Sequence, residues 1–151
     1  MKFKSIVAAV VLSALSLPAL AGWYAEPAEA RVYSMQEADA QGWSGGVSVG
    51  LDGGFMIGSY PPGWTQWSNV EVGQGSAVIR VNGQAVKFKV NKVQDGAIYL
   101  WAATYRGQQY IKQQLINKSR VTFINQDGSR FTLNANGFTK AWASMTANQG
   151  I

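Results

Sequence analysis

Short runs of alternating apolar and polar residues, separated by glycine-bearing turn signals, dominate the chain, and that is the pattern of an antiparallel sheet. Asp52-Gly53-Gly54 separates residues 46–51 from 55–60, Asn82-Gly83 separates 76–81 from 84–92, and Asp95-Gly96 and Asp127-Gly128 mark two more hairpins. The spacing predicts about six or seven strands. Two segments depart from it. The Gln-rich stretch 108–119, with Ile111 and Leu115 four apart, predicts a short helix. Phe138, Ala141, Trp142 and Met145 fall at i, i+3, i+4 and i+7 behind Asn136-Gly137, which predicts a C-terminal helix laid on the sheet. The expected fold is mainly β: an antiparallel β-sandwich or strongly curved sheet with a C-terminal helix and one short internal helix.

Register can be argued too, because a slip of one residue exchanges the two faces of a strand. A three-residue loop Gln126-Asp127-Gly128, with its glycine left-handed, pairs Phe123 with Phe131, Val121 with Leu133 and Thr122 with Thr132. A two-residue loop would mix apolar with polar partners. Gln94-Asp95-Gly96 repeats the motif and pairs Val90 with Leu100, Phe88 with Ala102 and Val86 with Thr104. Read as a two-residue type I′ turn, Asn82-Gly83 sets Ile79 beside Val86, Ala77 beside Phe88, and Val78 beside Lys87. Three adjacent strands then present Arg80, Lys87, Lys89, Asn91, Tyr99 and Trp101 on one basic-aromatic surface, with Tyr105 at its end. The competing reading covers this face with the C-terminal helix or the N-terminal strands, leaving Trp101 in a core with lysines at its rim. Trp64 and Trp67, on a Pro/Gly loop spanning 58–69, either stack on sugar rings or fold back to plug the end of the sheet.

The first 21 residues read as an export signal: Lys2 and Lys4, an apolar stretch 6–17, then Pro18 and Ala19-Leu20-Ala21. The stretch is shorter than the roughly 20 residues that span a bilayer. Cleavage after Ala21 would leave 22–151 as a single β-rich domain in the periplasm or extracellular medium, without stable membrane insertion. Loss of Lys2 and Lys4 would lower the formal charge from +5 to +3. The remaining charge is unevenly spread. Residues 22–41 hold Glu26, Glu29, Glu37 and Asp39 against Arg31, whereas 78–140 hold ten Lys and Arg against Asp95 and Asp127.

The chain has no histidine and no cysteine among its 151 residues. Those zeros remove the Ser-His-Asp triad, the imidazole base, the thiolate nucleophile, the disulfide and the usual zinc sites. Gly42-Trp43-Ser44-Gly45-Gly46 has the look of a protease nucleophile segment but has no base to serve it. Gly73-Gln74-Gly75 lacks the rest of a dinucleotide fingerprint, and Asn125-Gln126-Asp127-Gly128 lacks the downstream glutamate of a calcium loop. No catalytic residue, metal or cofactor is expected. Export argues against nucleic acid as the partner of the basic half and favours anionic envelope polymers or an acidic protein.

In the C-terminal half, residues 119–124, 129–133 and Gly137-Phe138-Thr139-Lys140-Ala141 resemble the ending of the invasion-associated locus B family of exported bacterial proteins, in which a hairpin precedes a Gly-Phe-x-x-Ala helix. The resemblance implies an envelope-associated β-sandwich without catalysis, and it carries over no functional residues. The chain lacks that family's cysteines. Three functions follow in order of expectation: a non-enzymatic module binding an envelope polymer or protein through the basic-aromatic face, an inhibitor or immunity protein inserting the 60–69 loop into an exported enzyme, and an enzyme using distant carboxylates.

Overall fold

A computed structural model describes residues 22–36, 40–64 and 70–147. The expected export signal and Trp67 lie outside the described residues. In chain order the elements are β1 (Tyr24–Glu26), a 3-10 turn (Pro27–Glu29), β2 (Arg31–Gln36), β3 (Ser44–Gly50), β4 (Phe55–Tyr60), β5 (Glu71–Val81), β6 (Gln84–Val93), β7 (Ile98–Ala102), α1 (Tyr105–Asn117), β8 (Arg120–Ile124), β9 (Arg130–Asn134) and α2 (Phe138–Ala147). Among the described residues the nine strands form one antiparallel sheet in the order β1-β2-β3-β4-β7-β6-β5-β8-β9. The two strands beyond the predicted number are β1 and β2. Their acidic surroundings hid an alternation in which Val32 and Ser34 are buried and Tyr33 and Met35 are more exposed.

The hairpin registers follow the turn chemistry. Gly96 and Gly128 have φ of 91° and 87°, and each closes a three-residue loop. Phe123 faces Phe131, Thr122 faces Thr132, Val90 faces Leu100 and Asn91 faces Tyr99. Asn82 (φ 47°) and Gly83 (φ 87°) are both left-handed, as a type I′ turn requires, and Ile79 faces Val86. The β3–β4 hairpin uses the same three-residue loop, Leu51-Asp52-Gly53, with Gly53 at φ 90°. In all three loops the aspartate Oδ1 accepts the N–H two residues on, at 2.9 Å: Gly54, Ala97 and Ser129. At Asp127 the Ser129 hydroxyl, and then the Ser129 backbone, hold the carboxyl below its ordinary pKa. One expected pair does not form. β7 ends at Ala102, and Thr104 caps α1, its hydroxyl accepting the Gly107 N–H at 3.0 Å, so Val86 has no cross-strand partner there. Tyr105 therefore opens a helix, 72% exposed, instead of extending the basic-aromatic face.

The sheet is strongly curved and not closed. β4 and β8 are four strand spacings apart, about 19 Å in a flat sheet, yet the Phe55 and Phe123 rings stack with centroids 5.6 Å apart. Phe131 stacks on Phe123 at 4.5 Å, and Phe88 meets Phe55 edge-on at 6.4 Å. The two edges draw together at one end, where the Trp23 indole donates to the Asn134 carbonyl at 2.9 Å and meets Phe138 edge-on at 5.0 Å. Ile111 and Leu115 of α1 and Phe138, Ala141 and Met145 of α2 fill the inner side. Of the two forms expected from sequence, the curved sheet is the one present.

Phe123→Ala is expected to cost about 3–5 kcal/mol, because it empties the centre of the stack. Trp23→Phe, which keeps an aromatic ring at the edge of the core but loses the indole donor and some volume, should cost less, about 1–2 kcal/mol. Denaturant unfolding of both variants checks the order, and equal losses would disprove the central role of the stack.

Candidate functional site

The side of the sheet turned away from the helices begins with a pair of glycines. Gly46 on β3 faces Gly58 on β4. A Cβ at Gly58 would sit 2.5 Å from the Tyr60 Oη, and one at Gly46 would collide with the Met35 sulfur. With no side chains there, Tyr60 and Met35 lie flat over the backbone and leave a hollow of about 280 Å³, bordered by Glu26, Arg31, Tyr33, Met56 and Trp64. A second hollow of about 620 Å³ shares Arg31, Ser48 and Met56 with the first and reaches Trp101, Asp52 and Glu29. Together they make one groove across the outer face of β2, β3, β4 and β7.

Aromatic rings line up along one wall. Trp64 packs on Tyr60 at 4.5 Å, Tyr60 meets Tyr99 edge-on at 6.0 Å, and Tyr99 lies 5.8 Å from Trp101. The Trp64 indole donates to Asp95 Oδ2 at 2.7 Å, which ties the start of the Trp loop to the β6–β7 hairpin. At the other end, the Arg31 Nη2 contacts the Glu26 carboxylate at 3.2 Å and the guanidinium lies over the Tyr33 ring at 5.6 Å. Burial pushes the Tyr60 phenol upward, partly offset by Arg31 and reinforced by Asp95. Tyr99 is pushed up further, by burial first and then by Tyr60 and Asp95. The groove thus offers ring faces, a guanidinium, carboxylates and a hydroxyl, the mixture that holds a polyhydroxylated ligand. Among the described residues no three of His, Cys, Asp and Glu gather to hold a metal ion.

The sequence-derived face is present in part. Lys87 and Lys89 are exposed on the outer side of β6, and Lys89 lies between Ser76 and Trp101. Arg80 is exposed as well but donates to the Gly83 carbonyl at 3.0 Å. Asn91 donates to Glu71 Oε1 at 2.6 Å, and that carboxylate interrupts the basic row, a neighbour the sequence reading missed. Tyr99 needs correction as a contact residue: at 4% exposure it lies under Tyr60 in a small second core with Val93 and Ala97. Trp101 remains half-buried, and so does Trp64, which folds back on Tyr60.

Sequence reasoning missed Arg31, Tyr33, Gly46, Ser48, Met56 and Gly58. The signal was available. The loop rule used for the two later hairpins, applied to Leu51-Asp52-Gly53, sets Val49 against Phe55 and hence Gly46 against Gly58.

An unfolded tyrosine ionises near pH 10, while these two phenols hold their protons to higher pH. Their contribution to stability is therefore complete below about pH 10 and is lost as pH rises through the folded values. The denaturation midpoint is expected to fall from about pH 10 upward, and Tyr99→Phe is expected to flatten that fall. Identical alkaline profiles for the two proteins would refute the assignment. Compared with protein-family models, with curated proteins and with solved structures, the chain matches none.

Proposed function

We propose that this protein is an exported, non-enzymatic binding module that holds an anionic glycan of the bacterial envelope on the outer face of its sheet. The observation that carries the reading is the position of Trp101. It borders the glycine-floored groove through Met56 and stands beside Lys89 on the next strand. Trp101 and Tyr33 stand three strand spacings apart, about 14 Å, with Met56 and Ser48 between them. Two rings of one sugar chain, one laid on each, would therefore meet ring faces on their apolar sides and Ser48, Asp52 and Arg31 on their hydroxyls. Acidic substituents on the same polymer would meet Lys87 and Lys89, whose charges are exposed to solvent. The export signal and the resemblance of the C-terminal half to an exported family support the compartment in which such polymers occur. The alternative, an inhibitor or immunity protein that inserts the 60–69 loop into an exported enzyme, draws no support from the described part of that loop, where Trp64 packs on Tyr60 and bonds Asp95.

The test is co-sedimentation with purified insoluble peptidoglycan at low salt. Trp101→Ala is expected to weaken binding about tenfold, equivalent to about 1.4 kcal/mol. Lys87→Glu with Lys89→Glu should weaken it at least as much, by a margin that shrinks as salt is added. Binding unchanged by the lysine pair would overturn the anionic part of the reading, and binding unchanged by Trp101→Ala would overturn the stacking part.

A further inference from the structure

β5 is eleven residues long and pairs with β6 along its length, but its other edge meets β8 only at Arg80 and Val81. The Asn82 N–H, which bonds the Thr122 carbonyl at 2.9 Å, fixes which residues point to that side. In an antiparallel ladder alternate residues share an orientation, so the N–H and C=O groups of Gln74, Ser76 and Val78 point to the free edge. Among the described residues no strand or helix pairs with it there.

Exposed edges are normally blunted by lysine, proline or a mid-strand bulge. Here the segment from Val72 to Ile79 carries no charge and no proline. Its one irregularity is a shift between Glu71 and Gly73, at the very end of the strand. Val72 and Val78 are among the exposed large apolar residues. The only charges are Glu71 at one end and Arg80 at the other.

We infer that this edge pairs with the same edge of a second copy of the chain, strand β5 antiparallel to strand β5. Opposite charges at opposite ends select that partner and that direction. A two-fold axis near Ser76 pairs Gln74 of each copy with Val78 of the other, stopping short of Arg80, whose edge β8 already occupies. It turns the Glu71 end of one strand toward the Arg80 end of the other, whereas a parallel pairing would set like charges together. With the axis perpendicular to the sheet, the outer faces of both copies lie on one side, and the Lys87 and Lys89 rows come to flank the junction. A polymer long enough to cross it would engage two grooves at once.

Sedimentation of the mature-length protein over a wide concentration range should show a reversible monomer–dimer equilibrium. Ser76→Pro removes an N–H that points to the free edge and none from the β6 ladder, so it should raise the dimer dissociation constant at least about tenfold while the thermal midpoint stays nearly constant. Val78→Lys serves the same purpose if the proline variant does not fold. Because the chain has no cysteine, Ser76→Cys reports proximity directly: mild oxidation should join two copies through it, while Gln113→Cys, on α1, should stay monomeric. A wild-type protein that remains monomeric throughout, or a dimer that survives these edge variants and gives no Ser76→Cys cross-link, overturns the inference. No step uses a glycan, so the outcome is independent of the binding proposal.

Discussion

Three loops of one construction, in which an aspartate precedes a left-handed glycine, decide which way the residues of six strands face. In each loop the carboxylate accepts the N–H two residues ahead, at Gly54, Ala97 and Ser129. That bond fixes a three-residue connection, and a three-residue connection fixes the pairing of everything that follows. A slip by one position at β3–β4, with β3 held in place, would turn Phe55 and Ile57 outward and bring Gly58 into the core beside Val47 and Val49. The groove and the core are therefore two results of one local constraint.

With register set, the aromatic residues of the central strands sort by chemistry, while the inner core also takes Trp23, whose indole bonds the Asn134 carbonyl. Phe55, Phe88, Phe123, Phe131 and Phe138 all lie in the inner core. Tyr33, Tyr60, Tyr99, Trp64 and Trp101 gather on the outer side, around the groove and the small second core. A phenyl ring has nothing to lose on complete burial, while a phenol or indole keeps a donor that needs a partner, as Trp64 finds in Asp95. The inner stack also bends the sheet: Phe55 reaches Phe123 only because the strands between them curl. In a chain without cysteine, that burial has no disulfide to assist it.

What the sequence revealed and what it hid divide along the distance over which information travels. Hairpin pairs such as Asn91 with Tyr99 and Phe123 with Phe131 were legible, because a turn and a period of two determine them. The insertion of β7 between β4 and β6, and the meeting of β5 with β8, depend on contacts between segments far apart in the chain, and no local pattern encodes them. Thr104 shows a local conflict: alternation extends the strand to it, but its hydroxyl makes a better helix cap, so Tyr105 leaves the face. The groove was hidden for a third reason. Its floor is made by two strand glycines, one in each of the runs 46–51 and 55–60, whose missing side chains matter only once the two are set opposite each other.

Burial of Tyr99 removes it from the list of contact residues, yet it gives the site its rigidity. A lone tryptophan on an open sheet samples several rotamers, and ordering it on binding costs about 0.5–1.5 kcal/mol. Trp101 packs beside a ring that is itself clamped under Tyr60, and Tyr60 is pinned between Trp64 and the bare backbone of Gly58. Much of that ordering is thus completed on folding. The second core acts as a support whose last member, Trp101, is left half in solvent, and its neighbour on the next strand is the exposed ammonium of Lys89.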